Sequence, residues 1–173
     1  AIEVVRFWSD AFGPTGIPNM ILRRTLAPLN EISRRLSSTL TGNTVLVGYD
    51  TTRELSTGRE RAELVIKVQN RLGSRRPEGG SKGETGLINL IIAETLAEVG
   101  RVGRRVGYVW YDEVVKGQDE VVRGNIYSYL KQKASKQGQL IFVVDHHKES
   151  ANWADHVLLV EKTSRGTTAR WLS

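Results

Sequence analysis

Tyr108-Val109-Trp110-Tyr111-Asp112-Glu113-Val114-Val115-Lys116-Gly117-Gln118-Asp119 decides how this chain is read. Four apolar residues end in two adjacent carboxylates, Asp112 and Glu113. The apolar character of Val106–Tyr111 is continuous enough to predict a strand buried on both faces. Successive residues leaving a strand point in different directions. One carboxylate can then hold Mg²⁺, directly or through water, while the other orients an attacking water. The plainer alternative is an ordinary strand end with an acidic approach to a helix.

Downstream, Asp119-Glu120 predicts a helix start, with Lys131, Lys133 and Lys136 near its C-terminus and Gly138 as its stop. Leu140–Val144 reads as a second buried strand. A short helix over about Lys148–Trp153, a strand over Val157–Glu161 and a last strand over Thr167–Leu172 follow. Strand–helix–strand–short helix–strand implies a parallel sheet with right-handed crossovers. Working residues in such sheets lie at the carboxyl ends of strands. Asp112, Glu113, Asp145 and His146 all fall there. A His in that place can hydrogen-bond a phosphate, and the competing reading is a loop histidine with a structural role. His147 and His156 read as structural.

Upstream, Gly79-Gly80-Ser81-Lys82-Gly83-Glu84 opens a helix. Ser81-x-x-Glu84 has capping-box spacing. A glycine-led helix start also offers free N–H groups and a positive dipole end to an anion, with the Ser81 hydroxyl and the Lys82 ammonium beside them. Both readings stay open. The helix buries Leu87, Ile88, Ile91, Ile92, Thr95, Leu96 and Val99, and Gly103 marks its exit. Before it, Val45–Tyr49 and Ala62–Gln69 suggest an antiparallel pair, and Leu72–Gly80 a polar loop. Pro18–Ser38 has helical spacing, with Ile17, Ile21, Leu22, Leu29, Ile32 and Leu36 on one face. Pro28 should kink or split that helix.

The composition sets bounds. With 173 residues there is room for one core and at most a small appendage. At 39% hydrophobic and 25% charged, the chain is globular rather than disordered. No run approaches the roughly 20 apolar residues of a membrane span, and no secretory signal opens the chain. The absence of cysteine excludes disulfides and Cys-based zinc sites. The net charge is +6, and nearly all of the excess lies in residues 1–105, rich in Arg pairs such as Arg23-Arg24, Arg34-Arg35, Arg75-Arg76 and Arg104-Arg105. Such pairs suit phosphate backbones, or simply solvated faces. There is no Gly-x-x-x-x-Gly-Lys-[Ser/Thr] loop, so the chain lacks the element that would grip a nucleotide's phosphates. Ala1–Val5 reads as if it starts inside an element, so a fragment or one half of a split domain is expected.

In order, these pieces are Ser-Lys-Gly-Glu at a helix start, an apolar strand with Asp-Glu, Lys-Gly-Gln-Asp, and an apolar strand with a His. The order resembles the C-terminal lobe of an ATP-binding-cassette ATPase of the SMC-like type. The run Ala11-Phe12-Gly13-Pro14-x-Gly16-Ile17, Leu29-Asn30-Glu31 and Leu40-Thr41-Gly42 narrows the resemblance to the SbcC-like double-strand-break repair branch. It covers roughly residues 11–162. It implies an α/β fold with a mostly parallel sheet flanked by helices, an N-terminal coiled-coil-base helix and an antiparallel strand pair. Residues 1–40 would be the coiled-coil base and first helix, 41–80 the strand pair and loop, and 81–173 the signature helix and sheet.

The resemblance further implies ATP and Mg²⁺ as cofactors and assigns roles. Ser81, Lys82, Gly83 and Glu84 would be the signature motif that meets ATP on the opposite head. Asp112 would be the Mg²⁺-side Walker B carboxylate, and Glu113 would polarise the hydrolytic water. Lys116-Gly117-Gln118-Asp119 would be the D-loop crossing the dimer interface, with Asp119 near the cofactor. His146 would be the switch histidine. Implied partners are an N-terminal Walker A lobe, a second head, a nuclease subunit and double-stranded DNA, with no membrane, in a cytoplasmic or nucleoid/nuclear setting. The isolated chain would be inactive. Three positions depart from the family pattern: Lys82 stands for a Gly, Gln118 for a Leu, and Asp145 for a Ser.

Two other readings compete. Val143-Val144-Asp145-His146-His147 resembles the motif of the Asp-His-His phosphoesterases, whose strand-end ligands bind paired metals. The Gly-Gly-Gly-His segment those enzymes need is missing after His147. A basic DNA-binding module without chemistry is the third.

Overall fold

Asn30, Ser33, Ser37 and Thr41 recur at helical spacing, and they explain how the long second helix meets the first strand. Strand β1 (Val45–Glu54) pairs on one side with β2 (Glu60–Asn70), antiparallel, with Val47 opposite Val68. On its other side lies helix α2 (Ile17–Thr41). The Asn30 side chain takes the N–H of Tyr49 at 2.8 Å and gives its own N–H to the Tyr49 carbonyl at 2.9 Å. Ser33 donates to the Val47 carbonyl at 2.6 Å, and Thr41 accepts from the Val45 N–H at 3.2 Å. Main-chain groups that would otherwise be buried unpaired are thereby satisfied.

The structure, a computed structural model, describes residues 2–13, 16–54, 60–70, 82–101, 106–164 and 166–172. Ser81, the Leu72–Gly80 loop, Gly103 and the Arg75-Arg76 and Arg104-Arg105 pairs lie outside these residues.

Helix α1 (Ile2–Phe12) precedes α2 and buries no residue. α2 runs unbroken through Pro28, so of the expected kink or split the split does not occur. Proline removes one N–H, whose partner would be the carbonyl of Arg24, and Arg24 is exposed to water. Gly42, at φ +58°, ends the helix in the left-handed conformation that glycine adopts freely. Only the second half of α2 joins the core. Leu29, Leu36 and Leu40 are buried, whereas Ile17 and Ile21 of the expected apolar face are exposed.

Helix α3 (Lys82–Gly100) packs on α2 and β1. Its Leu87, Ile88, Leu90 and Ile91 are buried, and Leu96, expected inside, faces out. Strand β3 (Tyr108–Asp112), helix α4 (Glu120–Gln137) and strand β4 (Leu140–Val144) form the expected crossover, with β3 and β4 parallel and Trp110 opposite Phe142. Asp119 caps α4 by accepting from the Val122 N–H, and Gly138 closes it at φ +60°.

Two expectations are corrected. The parallel strands are covered on one face only: Tyr111 is buried and Val109, Ile141 and Val143 pack against the core, while Tyr108 and Trp110 on the opposite face are 63% and 61% exposed. In addition, β5 (Val157–Thr163) does not extend the β3–β4 sheet. After a 3₁₀ segment (Lys148–Trp153) it folds back on β6 (Gly166–Leu172) as a separate antiparallel hairpin. Only two residues separate Thr163 from Gly166, which favours antiparallel pairing, whereas parallel pairing needs a long crossover. No helix among the described residues is long and apolar enough to cross a membrane.

Candidate nucleotide-facing rim

The carboxyl ends of β3 and β4 stand side by side, which places Asp112 opposite Val144. Asp112 is exposed, and its carboxylate has no hydrogen bond or ion pair among the described residues. Glu113, the next residue, sits at φ +46°, a conformation that costs a non-glycine residue about 1–2 kcal/mol. Its N–H donates to the Val144 carbonyl at 2.9 Å, and its carbonyl accepts from the Lys116 N–H at 3.0 Å. These two bonds hold the turn that follows Asp112. Strain of this kind concentrates where a side chain must be presented rather than packed.

The Glu113 carboxylate pairs with the Lys116 ammonium and lies 3.4 Å from Nδ1 of His146. The hydrogen bond from Lys116 holds its pKa below the ordinary glutamate value. Glu113 is therefore an ionised acceptor, able to orient a water, more than a strong proton acceptor. His146 is exposed and stacks on His147 at a ring distance of 5.6 Å. Asp112, Glu113 and His146 thus share one rim, as the sequence placed them.

Asp145, in contrast, is turned inward. Its side chain is 4% exposed. One oxygen takes the hydroxyls of Tyr127 and Ser150; the other takes the His147 N–H at 3.2 Å and Nδ1 of His147 at 2.7 Å. Burial opposes the charge, but the hydrogen bonds from Ser150, Tyr127 and His147 outweigh it and lower the pKa well below the usual carboxylate range. His147 gains a partner that spacing alone did not indicate. The side chains of His147 and Ser150 converge on the one Asp145 carboxylate.

The start of α3 meets the loop after β3. The α-carbon of Gly83 is buried against Gly117, and a methyl group there would stand 2.2 Å from the Gly117 carbonyl oxygen. Gly117 itself holds φ +73°. Gln118 donates to the Gly83 carbonyl at 2.6 Å. Lys82 is exposed, and Glu84 accepts from the Asn70 side chain at 2.7 Å, tying α3 to β2. Asp119 spends one oxygen on its cap of α4. Lys82, Gly86, Asp112, Glu113, Lys116 and Gly117 line a common groove of about 830 Å³ between α3 and β3. Asp112 and Glu113, both near the Lys116 ammonium, are the carboxylate oxygens at this place that could hold a hydrated hard cation.

No protein-family model matches the sequence, and no curated protein matches it. Solved structures do. One, from work on ATP-driven dimerisation and DNA-stimulated activation of SMC ATPases, is 14% identical over 90% of this chain and 89% of that one, with a TM-score of 0.68. The Pyrococcus furiosus Smc head with an extended coiled coil, bound to the C-terminal domain of ScpA, aligns at 14% identity over 90% of this chain with a TM-score of 0.67. An Smc head bound to the C-winged-helix domain of ScpA aligns at 16% identity over 87%, with a TM-score of 0.66.

The fold is that of an SMC ATPase head.

This chain spans only 37% and 44% of the latter two chains. The SMC-type fold agrees with the α/β architecture, the N-terminal helix and the antiparallel pair expected from the sequence. Within it, sequence reasoning missed a buried polar group beneath the rim. Lys133, read from the sequence as one of the lysines complementing the C-terminal end of α4, is 4% exposed and forms an ion pair with Glu94 at 2.5 Å. Glu94 had no reading at all. It lies among Leu90, Ile91 and Thr95, where helical spacing points inward.

Proposed function

We propose that this chain is the C-terminal half of an ATP-hydrolysing head of a DNA double-strand-break repair ATPase. It works with a nuclease subunit, and two ATP molecules are sandwiched between two heads. A second lobe supplies the Walker A loop. The open face around Tyr108 and Trp110 and the edges of the β3–β4 sheet, unpaired among the described residues, offer that lobe an apolar seat, since exposed aromatic area is costly to leave in water.

The observation that carries the reading is the shared rim of Asp112, Glu113 and His146, next to the packed junction of Gly83 and Gly117. In this reading Asp112 holds Mg²⁺, whose chemistry is to neutralise charge on the phosphates. Glu113 orients the water and His146 faces the terminal phosphate. Lys82, Gly83 and Ser81 present the tip of α3 to ATP on the opposite head. Lys116, Gly117, Gln118 and Asp119 form the loop that crosses to that head, shaped by the cap on α4. The arginines of α2, Arg23, Arg24 and Arg34, face DNA on the closed dimer. The nuclease partnership follows the resemblance of residues 11–42 to the segment returning from the coiled coil.

The test is Glu113→Gln in the chain joined to its phosphate-gripping lobe. ATP-driven dimerisation should persist while turnover falls at least about 100-fold. Normal turnover removes Glu113 from the reaction, and an absence of ATP-driven dimerisation in the unaltered protein removes the head reading. The Asp-His-His phosphoesterase reading is disfavoured by Asp145, whose two oxygens are taken up by Tyr127, Ser150 and His147. The described residues hold no group of three or more metal-ligating side chains.

A further inference from the structure

Three elements of the head meet at one buried carboxylate. Glu94 of α3 is 6% exposed. One of its oxygens accepts from the Tyr111 hydroxyl of β3 at 2.6 Å. The other accepts from the Tyr129 hydroxyl of α4 at 2.6 Å and from the Lys133 ammonium of α4 at 2.5 Å. Lys133 also donates to the Tyr111 oxygen at 2.5 Å and lies over the Tyr111 ring, 5.2 Å from its centre. Burial raises the pKa of both tyrosines, and the neighbouring Glu94 charge raises them further, so both remain donors. Burial opposes the Glu94 charge as well, but hydrogen bonds from Lys133, Tyr111 and Tyr129 prevail and keep it ionised.

Stability alone does not account for this cluster. A buried ion pair costs desolvation that well-packed apolar residues of the same volume avoid. What it supplies is direction: three donors converge on one carboxylate at fixed angles, and each element has one position relative to the others. Tyr111 immediately precedes Asp112. Glu94 lies twelve residues along α3 from Lys82, roughly 18 Å along a stiff rod.

We propose that Glu94 is a positioning residue that couples α3 to β3 through Tyr111, so that a shift of the α3 tip at Lys82 and Gly83 moves Asp112 and Glu113. This rests on the ATPase reading for its consequence, because there the tip of α3 and the end of β3 serve different nucleotides. The Glu94 cluster is then the mechanical link between the two ATP sites of a dimer.

Tyr111→Phe tests it, since the ring and its packing stay and only the hydroxyl is lost. Hydrogen exchange on the chain as it stands reads the coupling without nucleotide. The amides of residues 112–117 and of 82–86 should exchange together about 10-fold faster, while 29–41 in α2 keep their protection. Unchanged exchange in either of the first two segments overturns the proposal. In the head completed with its Walker A lobe, the same variant should dimerise with ATP and lose about 10-fold in kcat with KM for ATP unchanged, because Tyr111 acts through Asp112. Wild-type kcat would overturn the proposal too. If the unaltered head turns over no ATP while the exchange effect is present, the ATPase reading fails and the coupling stands. Glu94→Gln combined with Lys133→Met, which removes both charges at similar volume, should reproduce the exchange pattern of Tyr111→Phe; protection equal to wild type at 112–117 would count against the coupling.

Discussion

The side-chain amide of Gln118 donates to the main-chain carbonyl of Gly83 at 2.6 Å. A leucine, usual at this place in the resembled family, cannot make that bond. Gln118 therefore fastens the loop after β3 to the start of α3 from within the same chain. Gln118→Leu should cost about 1 kcal/mol. If both segments face the second head, ATP-driven dimerisation should weaken roughly fivefold, measurable by sedimentation; unaltered affinity would show the bond to be local only.

Gly83→Ala should be more severe. A methyl group 2.2 Å from a main-chain oxygen must push two backbones apart. The expected cost is about 1–3 kcal/mol, read as a lower denaturation midpoint. Gly86→Ala, three residues on with open space around its α-carbon, is the control and should leave stability unchanged or slightly higher.

Asp145→Asn should change how stability depends on pH. The folded carboxyl titrates below its ordinary value of 3.8, so the wild-type contribution is complete above about pH 5. It is lost progressively as pH falls below 4. The asparagine variant lacks this contribution and should be about 1–3 kcal/mol less stable at pH 7. Its stability should also fall less steeply between pH 4 and pH 2. Urea unfolding across that range decides the matter, and parallel curves would mean that Asp145 is not ionised in the folded chain.

Leu36→Ala should destabilise by about 2–5 kcal/mol, because the side chain is fully buried where α2 faces the core. Ile21→Ala, on the exposed first half of the same helix, should cost under about 0.5 kcal/mol. Thermal unfolding of both variants tests whether α2 is divided between core and solvent as described. Equal losses would contradict that division.

How much of this was legible follows from which interactions are local. α4 could be bounded from sequence because Asp119 and Gly138 are short-range signals, and the rim followed because strand ends carry their side chains with them. The partner of β5 was not legible, since an apolar run does not reveal whether it joins an existing sheet or folds back on its successor. The second face of β3 was misjudged for a related reason: Tyr108 and Trp110 have the character of buried residues, yet nothing in the described chain covers them. Glu94 and Lys133 are 39 residues apart, and a charge in isolation reads as a surface group. The polar positions Asn30, Ser33 and Ser37 interrupted an apolar stripe, which hid that their side chains were directed at main-chain groups of β1.

That stripe has a consequence for how copies of the molecule behave in concentrated solution. By occupying the outward N–H and C=O groups of Val47 and Tyr49, α2 denies a foreign chain the template it needs for strand addition there. Among the described residues, strand addition to this hairpin is left the outer edge of β2, which carries the exposed ion pair of Lys67 with Asp50.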